Sequence, residues 1–140
     1  MEVFFKDAER WMRQADADIK AAEHIHGGGF FAQSCFLAQQ AAAKALRAFL
    51  FLNKEDAREA KSVADLLDRA ITYDEGFKDF VGKSTSLDLY YKTARFPDAL
   101  PGGIPSEIIT DRDSTIAIRL ASDVLKAIEK KRKGLLPDIF

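Results

Sequence analysis

The glycine run Gly27-Gly28-Gly29 stands between two long stretches whose apolar residues recur at helical spacing. Consecutive glycines disfavour helix and supply the left-handed conformation that ends one, so this run divides the first half of the chain into two helices joined by a short turn. Before it, Phe5, Ala8, Trp11, Met12, Ala15, Ile19 and Ala22 fall at steps of three and four, with Glu9, Arg10, Arg13, Asp16 and Lys20 between them. After it, Phe30 to Leu52 runs through Cys35, Ala38, Ala42, Ala45, Leu46 and Phe49, with Ala41, Ala43 and Ala48 adding residues that favour helix and allow close approach. Each helix would be about 30 Å long at 1.5 Å per residue, and the short turn predicts an antiparallel hairpin.

The polar stretch Asn53 to Ala60 reads as a loop, and Val63, Leu66, Leu67 and Ala70 predict a shorter third helix. Phe77, Phe80 and Val81, then Leu87, Tyr90, Tyr91 and Ala94, predict a helical region broken near Gly82 to Ser84. From Arg95 to Ile109, Pro97, Pro101, Gly102, Gly103 and Pro105 exclude continuous helix and predict a long loop. A last helix starts around Thr110, where Thr110 and Asp113 have capping-box spacing, and buries Ile116, Leu120, Ala121, Val124, Leu125 and Ile128. The expected fold is all-α: an up-and-down bundle of four to five helices, residues 1–140 forming one domain, with a long Pro/Gly-rich loop before the last helix.

Composition narrows the function classes. A net charge of -1 gives no global field for nucleic acid, so any such binding rests on a local patch. One cysteine excludes an intramolecular disulfide and a Cys-rich zinc site, and fits a cytoplasmic location. The longest apolar run, Ala48 to Leu52, is far short of a membrane span, and Met1 to Lys6 lacks signal-peptide character. His24 and His26, two residues apart, do not share a helix face, and with no Cys or His at ligand spacing neither a metal nor a cofactor is expected. Lys130 to Lys133 suit the negative end of the last helix, and the glycine run lacks the Lys-Ser/Thr of a phosphate loop.

One segment is richer in chemistry. Tyr91, Lys92, Arg95 and Asp98 bring an aromatic face, two cations and a carboxylate to a helix end before the Pro-rich loop, a set suited to stacking bases and pairing phosphate. The competing structural reading packs the aromatics under the loop and has Arg95 cap backbone carbonyls or pair with Asp98.

The chain resembles the HEPN (higher eukaryotes and prokaryotes nucleotide-binding) family. The resemblance rests on Trp11, Ala15, Asp18-Ile19 and Ala22; on Ala38-Gln39-Gln40-Ala41-Ala42 with Lys44-Ala45-Leu46-Arg47; on Ser62 with Leu66-Leu67; and on Tyr91 through Asp98. It implies a helical bundle that commonly forms a homodimer, binds a nucleotide or RNA and acts with a minimal nucleotidyltransferase partner in toxin-antitoxin-like systems. A homodimer is also expected because the Ala-rich second helix and aromatic first helix offer more apolar face than a small bundle covers. Some members are metal-independent ribonucleases using an Arg and a His with four to six residues between them. That motif is missing here, since Ala17, Asp18 and Ile19 stand where His24 would need Arg, and Ile19, Lys20 and Ala21 where His26 would. Ala43 replaces a usual Glu and Lys61 a usual His, which argues against an enzyme of that type. Two other readings remain open: a ribonuclease using Tyr73, Tyr90 or Tyr91 with Arg95, and a purely structural helical protein.

Overall fold

A computed structural model describes residues 2–60 and 62–135; Lys61 lies outside them. The two long helices form as the glycine run dictates: α1 spans Glu2–Gly27 and α2 Phe31–Leu52. The turn between them is a Schellman closure, in which Phe30 N–H donates to the Ile25 carbonyl and Gly29 N–H to that of His26, with Gly29 at φ 87°. Third comes α3, Val63–Ile71, whose Ser62 side chain accepts from Asp65 N–H. The broken region is a pair of 3-10 turns, Glu75–Phe80 and Ser84–Leu89, with Gly82 at φ 92° between them, followed by the single turn α4, Tyr90–Thr93. The Pro/Gly-rich stretch also holds single turns, at Pro97–Ala99 and in α5, Pro105–Ile108. Among the described residues there is no strand, and α6, Asp111–Leu135, closes the fold.

The capping box of α6 forms with Asp where Glu is usual. Thr110 Oγ1 accepts from Asp113 N–H at 3.2 Å, and Asp113 Oδ2 accepts from Thr110 N–H at 2.9 Å.

At the centre lies α2, packed against α1, α3, α4, α5 and α6. His26 near the end of α1 meets Ser114 at the start of α6 (2.8 Å), and Glu9 near the start of α1 pairs with Arg132 near the end of α6. Thus α1 runs antiparallel to both α2 and α6, and the broken segments carry the chain back between them. The alanines explain how so many elements crowd one helix: Ala38, Ala41, Ala42, Ala43, Ala45 and Ala48 are all 0% exposed. This corrects one ground for expecting a dimer. The Ala-rich face of α2 is consumed inside the chain, Phe4 and Phe5 of α1 are half-buried against Phe51 and Leu52, and Val3 and Phe30 are the exposed large apolar residues of the hairpin.

Cys35 and Tyr90 lie where α2, α4 and α6 converge, and burial raises each to about 12, with Asp113 adding to both shifts. Both groups are held neutral in the fold, so their contribution is intact below the unfolded values and is lost as the pH rises toward the folded ones. The melting temperature is therefore expected to fall between about pH 9 and pH 12, and Cys35 to resist alkylation at pH 8 unless the protein is unfolded. Ready alkylation of the native protein would contradict this arrangement.

Candidate functional site

The turn α4 is placed by what precedes it. Asp88 reaches across to the start of α3, where Oδ1 accepts from Val63 N–H (2.7 Å) and Oδ2 from Ala64 N–H (2.9 Å), satisfying two orphan amides of that helix. The buried Gln39 of α2 donates to the same carboxylate at 3.1 Å, and Gln40 donates to Gln39 at 2.8 Å. Asp88 thereby ties α2, α3 and the approach to α4 at one point. Gln39, Ser62, Asp88, Leu89, Tyr91 and Lys92 surround a hollow of about 370 Å³ beside it.

One turn later the chain reaches Arg95. Its Nε–H donates to the Tyr91 carbonyl at 2.7 Å, so the structural reading that Arg95 caps a carbonyl describes one of its nitrogens. The guanidinium carbon lies 4.3 Å from the centre of the Phe36 ring, 4.6 Å from Tyr91 and 4.7 Å from Phe96. Arg95 is nonetheless exposed, and among the described residues its two terminal nitrogens have no hydrogen bond and no carboxylate pairs with it. A guanidinium held among aromatic rings, with its terminal nitrogens unengaged among the described residues, is preorganised to receive phosphate or carboxylate.

Of the residues singled out in the sequence, Tyr91, Lys92 and Arg95 share this corner. Asp98 sits exposed in the turn Pro97–Ala99 and forms no ion pair with Arg95. Tyr73 and Tyr90 are elsewhere: Tyr73 donates to Glu55 at 2.6 Å, and Tyr90 packs on the core. Only Tyr91 of the three tyrosines accompanies Arg95. His26 joins Ser114 and lies 3.6 Å from Asp111, as a helix-end residue. Among the described residues no group of three or more His, Cys, Asp or Glu could hold a metal ion. Nor, among them, is any helix long and apolar enough to cross a membrane.

Two residues near this corner escaped sequence reasoning. Phe36, the ring nearest Arg95, lies off the apolar stripe of α2, and a large aromatic at such a position was the available signal. Arg47 is the other. Only 7% exposed, it donates from Nε (3.1 Å) and Nη2 to the Ala60 carbonyl and sits 5.2 Å from the Trp11 ring centre. Among the described residues no carboxylate pairs with it, whereas its neighbour Lys44 pairs with Asp18 at 2.6 Å. Burial lowers the Arg47 guanidinium from its ordinary value, and the nearby Tyr91 partly offsets that.

The comparisons agree with this architecture. The HEPN domain family model matches residues 8–131. The crystal structure of TT1696 from Thermus thermophilus superposes with a TM-score of 0.84 at 33% identity, over 89% of this chain and 98% of that one. The structure of ST0689, an archaeal HEPN homologue, does so with a TM-score of 0.74 at 30% identity, over 89% and 97%. No curated protein matches the chain. A family model that covers most of the length, and relatives of this identity that share the whole bundle, have one meaning: the chain belongs to the HEPN domain family.

Proposed function

We infer that this HEPN chain, residues 1–140 taken as one unit, is a cytoplasmic module that binds a nucleotide or RNA at the corner formed by Tyr91, Lys92 and Arg95. One observation carries the reading: the Arg95 guanidinium is fixed over three rings while its terminal nitrogens have no partner among the described residues. Phosphate fits those nitrogens, a base can stack on the neighbouring aromatic faces, and Lys92 adds a second cation. Asp98 belongs at the edge of this site, where a carboxylate can accept from a ribose hydroxyl or a base amine.

Titration with a 5′-phosphorylated oligouridylate, competed with inorganic phosphate, tests the reading. Saturable binding that phosphate reverses is expected; no saturable binding at millimolar ligand removes it. The reading extends to a minimal nucleotidyltransferase partner in a toxin-antitoxin-like system, tested by co-purification with the product of an adjacent gene of that type. It also extends to a homodimer. The exposed Val3 and Phe30 support that assembly, and a monomer of 15.6 kDa by light scattering would exclude it.

A further inference from the structure

Arg112, Arg119, Lys126 and Lys133 succeed one another along α6 at steps of two helical turns, which sets four cations in one row, and Lys130 falls beside them. All five are exposed. At 3.6 residues per turn they occupy an arc of about 60°, directly opposite the face that buries Ala117, Ala121, Val124 and Ile128. The end of the helix sorts its charges between the two faces. Lys131 turns inward to Asp74 at 2.6 Å and Arg132 to Glu9 and Glu129, whereas Lys130 and Lys133 stay on the outer row.

Among the described residues none of the five cations has a hydrogen bond or an ion pair. The other acids of α6 are engaged elsewhere: Asp111 accepts from Thr115, Asp113 from Thr110 and Glu129 from Arg132. Asp123 is the one carboxylate on the row among the described residues. Five cations against one carboxylate, in a chain whose net charge is -1, leave the rest of the molecule acidic and make this face the local basic patch that nucleic-acid binding requires.

We propose that the outer face of α6 is a docking surface for double-helical nucleic acid, held through its phosphate backbone without reading its sequence. Arg112 and Lys133 stand about 31 Å apart along the helix, a length over which a DNA duplex presents roughly 18 phosphate charges. A straight row of cations on a formed helix meets a stiff row of phosphates with no backbone left to order. A single strand calls for rings on which bases stack, and the row carries none; among the described residues its one exposed large apolar side chain is Ile116. One isoleucine is also too little apolar surface for a helix lying in a membrane interface. A second copy of the same face would set like charges opposite each other. The surface is separate from the Arg95 corner, since no residue of the row lies against Arg95 or lines the hollow beside it.

The test is fluorescence anisotropy on duplexes of about 20 base pairs, RNA and DNA, each in two unrelated sequences, at several salt concentrations. Binding is expected to every duplex at low salt, and on DNA log affinity should fall against log salt by about 0.9 per phosphate contact, or about 3 to 4.5 for the row. Arg119→Gln combined with Lys126→Gln should weaken binding about tenfold or more and lower that slope by about 1.8. Asp123→Lys, also at an exposed position, should tighten binding and steepen the slope by about 0.9. Arg95→Ala should leave duplex affinity unchanged; a loss there would move the duplex to the Arg95 corner and overturn the α6 surface. Polyglutamate that competes as well as a duplex of equal charge would overturn it in favour of an acidic protein. No duplex binding at low salt, or α6 variants that bind as wild type does, would overturn it while leaving the Arg95 site standing.

Discussion

Arg95→Ala should weaken phosphate-dependent binding of an oligonucleotide by about tenfold to a hundredfold, the effect of losing a charge-assisted hydrogen bond worth roughly 1.5 to 3 kcal/mol. Arg95→Lys should recover little of it. Lysine keeps the charge, but it has neither the planar group that lies on Phe36, Tyr91 and Phe96 nor the two parallel donors of a bidentate contact. The stability of either variant should change little, because Arg95 is exposed and its one hydrogen bond joins residues a helical turn apart. A variant that binds as well as wild type but melts lower would mean that Arg95 only fastens the loop to α4. Measuring affinity and melting temperature on the same preparations separates the outcomes.

The second large effect is on stability. Phe77→Ala should cost about 3–5 kcal/mol, because the ring is 0% exposed and the space it leaves cannot be refilled by short neighbours. The Phe77 ring meets Phe49 edge-on at 4.7 Å between centres, touches Phe80 at 6.2 Å, and has the Lys131 ammonium 4.9 Å from its centre. It therefore joins the 3-10 segment to both α2 and α6. The melting temperature should drop on the order of 10 °C or more for a domain of this size. A loss below about 1 kcal/mol by denaturant unfolding would show that the 3-10 segment is not part of the cooperative core, since buried Phe→Ala costs normally exceed that.

The helices were legible because each has a local cause. The glycines end α1, Thr110 and Asp113 start α6, and the alanines of α2 announce a helix that others approach closely. The interrupted middle was less legible: two 3-10 turns have no fixed apolar period, and what holds them are contacts distant in sequence, Phe77 of the first on Phe49 and Asp88 of the second at the start of α3, which no spacing reveals. At the site, Tyr91, Lys92 and Arg95 are neighbours in sequence and were read together. Phe36 and Arg47 come from another helix. Only the fold places Phe36 under Arg95, and only burial without a carboxylate distinguishes Arg47 from the other basic residues of the chain.

The central position of α2 has a consequence for synthesis. Its partners on one side are made immediately before it, but α6 emerges only after residues 53–110 have left the ribosome. During that interval the α1–α2 hairpin can close, since its contacts are short-range in sequence, while the flank of α2 that α6 later covers faces water. A nascent chain stalled before Asp111 is thus a sticky species, prone to capture by chaperones or by other nascent chains. Translational pausing in the proline-rich segment just upstream would lengthen its lifetime.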